Sequence, residues 1–168
     1  MRLIRCTLKV LREIGIKPTD AAASPSGPGE LGDWYANLIR IERRKCLLFT
    51  NEKTLYTFLI PKVLKRNVLN IREEFLTHLA YNLQYEGFGL NAIQRVRREY
   101  QEIALARTEN RSVLGSMNEF AFQYEFFIHR ADGLDAVKIL AVNKEINRTP
   151  MSPLKYKYPI DLLHEALA

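Results

Sequence analysis

Apolar positions along this chain change their period part-way. Leu3 to Cys6 reads as a short strand. Leu8, Leu11 and Ile14 then recur at helical spacing, with Thr7 placed to cap that helix. Trp34 to Ile41, Lys45 to Thr50 and Leu55 to Ile60 read as three strands. The turn Glu42-Arg43-Arg44 joins the first two into a hairpin, Asn51-Glu52-Lys53 joins the next pair, and Pro61 ends the last strand. Beyond residue 69 the period lengthens. Leu69 to Tyr85 carries an apolar stripe at Leu76, Leu79, Ala80 and Leu83, and Gly87 stops it. Leu90 to Tyr100 is a second helix, and Ile103 to Thr108 a returning strand.

Val113 to Arg130 fits two periods at once. Phe120, Phe122, Tyr124, Phe126 and Ile128 alternate like a strand, whereas Val113, Met117, Phe120, Tyr124 and Phe127 follow a helix. Its length without a turn signal decides for helix. Its apolar residues surround the axis, which predicts a central, largely buried aromatic helix ended by Gly133. Asp135 is placed to cap a helix running to about Arg148, and Pro159 to open a last helix, Ile160 to Leu167. Strands early, helices late and one returning strand predict a single α+β domain over residues 1–168. Short connections between successive strands favour a mostly antiparallel sheet of about five strands, with helices packed on one face. Residues 17–33, with three prolines and three glycines, read as a flexible loop.

Charge sharpens this picture. The net charge is +6, unevenly spread: +4 over residues 1–17, −3 over 18–33, +6 over 34–68 and −1 over the remainder. The positive excess therefore sits in the first 68 residues, which points to an anionic partner. The two cysteines, Cys6 and Cys46, sit in strand patterns without Cys-x-x-Cys spacing and read as reduced core thiols. Basic residues interrupt any signal-peptide core, and no apolar run is long enough to span a bilayer, so a cytoplasmic location is expected with no membrane partner.

Several motifs are tested and set aside. Gly27-Pro28-Gly29-Glu30-Leu31-Gly32 matches G-x-G-x-x-G, but neither a strand before it nor a helix after it supports a dinucleotide site. His78, His129 and His164 lie on three different predicted helices, so no metal and no cofactor is expected. Two segments keep a functional reading. Arg40, Arg43, Arg44 and Lys45 cluster at the hairpin tip, where a basic β-ribbon can track phosphates and Trp34 and Tyr35 could stack bases. The equally available structural role is an exposed turn made soluble by charge. Arg111, Ser112, Ser116 and Asn118 crowd the expected start of the aromatic helix. There Ser116-x-x-Glu119 matches a capping box, with Ser112 as an earlier cap. Free N–H groups at such a start could hold a phosphate or carboxylate, with Arg111 as its charge partner.

Ile4-Arg5-Cys6-Thr7, Trp34-Tyr35-Ala36-Asn37, Cys46 to Asn51 with Thr54-Leu55, Arg111 to Asn118 and Leu154 to Pro159 together resemble a bacterial domain family of unknown function. The resemblance spans nearly the whole chain and implies one prokaryotic domain without an assigned activity. Polar residues in those segments (Arg5, Thr7, Asn37, Thr50, Asn51, Arg111 and Asn118) are candidates to converge in one pocket.

Three functions follow as expectations. The first is a non-enzymatic binding module for an anionic partner, nucleic acid foremost, using Arg40, Arg43, Arg44 and Lys45 with Arg111 as a second contact. The second is an enzyme on a phosphorylated or carboxylated small molecule, with Arg111, Ser112, Ser116 and Asn118 holding the anion and His129 as acid or base. The third is a protein-interaction domain of a plasmid, phage or defence complex.

Overall fold

The structure is a computed structural model that describes residues 1–22 and 27–168. Its centre is a five-stranded sheet built from β1 (Arg2–Cys6), β2 (Trp34–Ile41), β3 (Arg44–Asn51), β4 (Thr57–Ile60) and β5 (Ile103–Arg107), in the order β4-β3-β2-β1-β5. The α+β class holds. The sheet, however, is mixed and not mostly antiparallel. β2, β3 and β4 form the expected antiparallel meander, but β1 pairs in parallel with both β2 and β5. The reason lies in the connections. A two-residue turn returns the chain antiparallel, while the helix between β1 and β2 carries it back to the same end of the sheet.

Helices cover both faces of the sheet, not one. On the first face α1 (Leu8–Ile14), α2 (Lys65–Leu69), α3 (Ile71–Tyr85), α4 (Leu90–Glu99) and α7 (Pro159–Ala166) pack over Ile4, Trp34, Ala36, Leu47, Phe49 and Phe58. On the second, α5 (Arg111–Arg130) and α6 (Ile139–Ile146) pack over Tyr35, Cys46, Leu48 and Leu59. The run Cys46-Leu47-Leu48-Phe49 is apolar at every position because β3 is buried on both sides.

The first core is aromatic. Trp34, Phe49, Phe58, Phe75 and Tyr100 stack edge to face or offset, with neighbouring centroids such as Trp34–Phe75 and Phe49–Phe58 separated by 5.2 and 5.1 Å. Trp34 Nε1 donates to the Tyr100 hydroxyl at 2.8 Å, and that hydroxyl donates to the Gly32 carbonyl at 2.6 Å. Trp34 and Tyr35 are both fully buried, so both belong to the core and neither is free to stack a base. The helix α5 is less central than its composition predicts. Val113, Met117, Phe120, Tyr124 and Ile128 face the sheet, whereas Phe122 and Phe126 are 74% and 56% exposed.

Within the expected loop 17–33, residues 23–26 lie outside the described residues, and with them that part of the expected flexibility. Around them, Pro18–Asp20 forms a 3-10 turn and Ala22 bridges Ala106 of β5. The amides of Leu31 and Gly32 donate to the Glu99 carboxylate at 3.2 and 3.0 Å, so the glycine-rich stretch already holds an internal anion. Among the described residues no helix is long and apolar enough to cross a membrane.

Candidate functional site

The hairpin joining β2 and β3 ends in a two-residue turn. Ile41 pairs with Arg44 and Arg40 with Lys45, leaving Glu42 and Arg43 at the tip with φ of 51° and 65°. Both positive φ values define the tight turn whose twist matches its flanking strands. Arg44, expected in the turn, thereby moves out of it and into strand register. Because side chains alternate across a strand, Arg40 and Lys45 share the face occupied by α1 and α2. Arg44 lies on the opposite face, with Cys46 and Leu48.

That split decides what each cation is free to do. Arg44 donates to Asp135 at 2.8 Å and to Glu42 at 3.2 Å, and Lys62 reaches the same Asp135 at 3.4 Å. These bonds hold the Asp135 carboxyl below the usual carboxylate range, with Arg44 the larger cause. Lys45 donates to Glu13 of α1 at 2.7 Å. Arg40 donates only to the Arg43 carbonyl, at 3.2 Å, and among the described residues neither guanidinium has a carboxylate partner.

Around this tip two adjoining depressions share Arg40 and Lys45. One, of about 410 Å³, is lined by Lys9, Arg12, Glu13 and Leu38 together with those two. The other, of about 330 Å³, adds Arg43, Arg44, Lys62, Val63, Leu64 and Lys65. Eight cations therefore line one continuous surface whose floor is Leu38, Val63 and Leu64. Glu13 lies inside it. A hydrogen bond from Lys45 lowers its pKa first, and the charges of Lys45, Lys65 and Arg40 add to that. Of these eight cations, Arg40, Arg43, Arg44 and Lys45 stand out as a cluster in the sequence, and Lys9, Arg12, Lys62 and Lys65 do not. The signal was present in the +6 carried by residues 34–68 and in the three-residue spacing of Lys9 and Arg12 on a helix.

The Arg111 segment is built differently. The helix α5 begins at Arg111, five residues before Ser116, and Asn110 is its cap. Asn110 Oδ1 accepts from the Ser112 and Val113 amides at 2.9 and 3.3 Å, and the Asn110 amide donates to the Tyr35 hydroxyl at 2.9 Å. The expected capping box at Ser116 and Glu119 does not form, because both lie within the helix. Ser116 is buried toward the sheet, and Arg111, Ser112 and Asn118 are exposed. Most N–H groups of this helix start are thus already bonded within the chain. His129 sits exposed in the last turn of α5, about 25 Å of helix rise from Arg111. The start of α5 meets Tyr35, and the segment after its end meets Glu42, whose carboxylate accepts from the Leu134 amide at 3.2 Å. Arg111 and the hairpin tip therefore stand at opposite ends of α5.

The polar residues proposed to converge serve separate local structures. Arg5 is buried against Asp33, Glu109 and the Arg107 carbonyl, each at 3.2 Å. Thr7 donates to Asn37 at 2.8 Å, Thr50 meets Thr57 at 3.0 Å, and the Asn51 side chain organises the turn before β4. Arg2 likewise pairs internally, with Glu99 at 3.3 Å. Burial pushes the Cys6 thiol up to about 12, so it is a packed apolar group and no nucleophile. Among the described residues no three His, Cys, Asp or Glu side chains are grouped to hold a metal. A depression of about 570 Å³ between α3 and α4, lined by Tyr81, Phe88, Leu90 and Arg97 among others, gathers no acid–base pair.

Residues 3–162 match the family described as Domain of unknown function (DUF6933). The chain belongs to this family. No curated protein and no solved structure matches it. The DUF6933 match covers β1 from Leu3, the other four strands, the helices as far as Leu162 of α7, and every residue that lines the cationic surface.

Proposed function

We propose that this DUF6933 chain is a non-enzymatic binding module for an anionic partner, nucleic acid, which it engages through phosphates at the hairpin end of its sheet. The observation that carries this reading is the continuous surface formed by Lys9, Arg12, Arg40, Arg43, Lys45, Lys62 and Lys65. Cations gathered at that density repel one another, and an anion relieves the repulsion. Internal pairing sets Arg2 and Arg5 apart from this surface, whereas its Lys9, Arg12, Arg40, Arg43 and Lys65 form no ion pair among the described residues. Bacterial cytoplasm is the setting that fits this reading, with buried, reduced thiols.

The test is a salt titration of nucleic-acid binding by fluorescence anisotropy. Engaging about four phosphates gives log K falling against log salt with a slope of about −3.6. Replacing Arg40 and Lys65 together by glutamate removes about half of that slope or more, since two of about four contacts are lost. Absence of binding at about 50 mM salt by a folded chain refutes the proposal.

A further inference from the structure

We infer that the nucleic acid taken by the hairpin-end surface is a duplex, held by its backbone without readout of base identity. This rests on the phosphate-binding reading above and adds the class of substrate. The residues lining the two depressions are lysines, arginines, one glutamate and the aliphatic Leu38, Val63 and Leu64. No aromatic side chain is among them. Trp34 and Tyr35, which lie on the hairpin strand itself, are buried at 0% exposure. Tyr81 and Tyr85 of α3, Phe122 and Phe126 of α5, and Tyr156 and Tyr158 are exposed, but none of them lines either depression.

Surfaces that prefer single strands supply rings on which unpaired bases stack, at about 1–3 kcal/mol per base. This surface lacks that contribution, so an unpaired strand gains little beyond its charge. The lining also lacks Asn, Gln, Ser and Thr, the neutral groups that read adenine and other base edges alongside arginine. Arg40 is tied to the Arg43 carbonyl, and Arg44 to Glu42 and Asp135, which limits the guanidinium groups free to enter a groove. What remains is charge distributed over three elements: α1, the hairpin and the start of α2. A duplex carries one phosphate per about 1.7 Å of axis against about 3.4 Å for one strand, and so satisfies such a spread surface better.

Anisotropy measurements at about 50 mM salt with two 20-base-pair DNA duplexes of unrelated sequence, and with their four separated strands, test this. The two duplexes are expected to bind within about twofold of each other, and every single strand about tenfold more weakly. Arg40→Glu with Lys65→Glu abolishes the duplex preference, while Arg98→Glu on the exposed side of α4 leaves it intact. Circular dichroism confirms that each variant is folded. Single strands bound as tightly as duplexes, or a difference above tenfold between the two duplexes, overturn the inference while leaving phosphate binding in place. Failure of every oligonucleotide to bind overturns both.

Discussion

Glu13 is the residue on which the cationic surface turns. Its carboxylate lies 2.7 Å from Lys45 and within reach of the fields of Lys65 and Arg40. The chain thus carries its own competitor for one cation. Removing that charge in Glu13→Gln frees Lys45, and the expected result is duplex binding tightened by about fivefold, the scale of one exposed ion pair. The sign with pH follows from the lowered pKa. A depressed carboxyl stays ionised below its ordinary range, so the Glu13–Lys45 bond persists at moderate acidity and is lost only as pH falls through that depressed value. Acidification from pH 7 to about 5.5 should therefore not reproduce the effect of the variant. Unchanged or weakened binding by a folded Glu13→Gln protein would remove Glu13 from the binding surface.

At the scale of elements, the outer edge of β4 shows how this sheet ends. β4 pairs with β3 on one side only, and unpaired edge groups invite association with other chains. Two asparagines one helical turn apart on α6 and its cap cover that edge. Asn143 Oδ1 accepts from the Leu59 amide at 3.0 Å and from the Tyr124 hydroxyl at 2.6 Å. Asn147 accepts from the Thr57 amide at 2.8 Å and donates to the Thr57 carbonyl at 2.7 Å, standing in for a neighbouring strand. Asn147→Ala leaves both Thr57 groups buried and unpaired and should cost about 2–4 kcal/mol in urea unfolding. Asn118→Ala, on the exposed side of α5, should stay within about 0.5 kcal/mol. Equal stability for the two variants would remove the edge-covering role. This device was not legible in the sequence, because an asparagine at helical spacing looks the same whether it meets water or a strand edge. The hairpin was legible, since strand periodicity and its turn are local. The parallel return of β1 and β5 and the cap at Asn110 were not. The first depends on where a crossover helix lands, and the second on Tyr35, 75 residues away, which holds the Asn110 amide and so starts the helix ahead of Ser112 and Ser116.

On the scale of the whole molecule, one sheet supports two separate cores, and most strands feed both. In β3, Leu47 and Phe49 enter the core under α1 and α3, while Cys46 and Leu48 enter the core under α5 and α6. A strand cannot keep one set of side chains packed after losing the other, because both hang on the same backbone ladder. The two layers should therefore unfold together. The single tryptophan makes this measurable, since Trp34 lies wholly in the first core. Met117→Ala hollows out the second core and should cost about 2–5 kcal/mol. Because the transition is shared, the urea midpoint followed by Trp34 fluorescence should fall by the same amount as the midpoint followed by circular dichroism, with coincident curves. Leu79→Ala in the first core should move both probes in the same way. A fluorescence midpoint that stays in place while the helical signal melts early would divide the chain into two units. The cationic surface would then belong chiefly to the first of them, since α1, α2 and the side chains of Arg40 and Lys45 all lie on that side of the sheet.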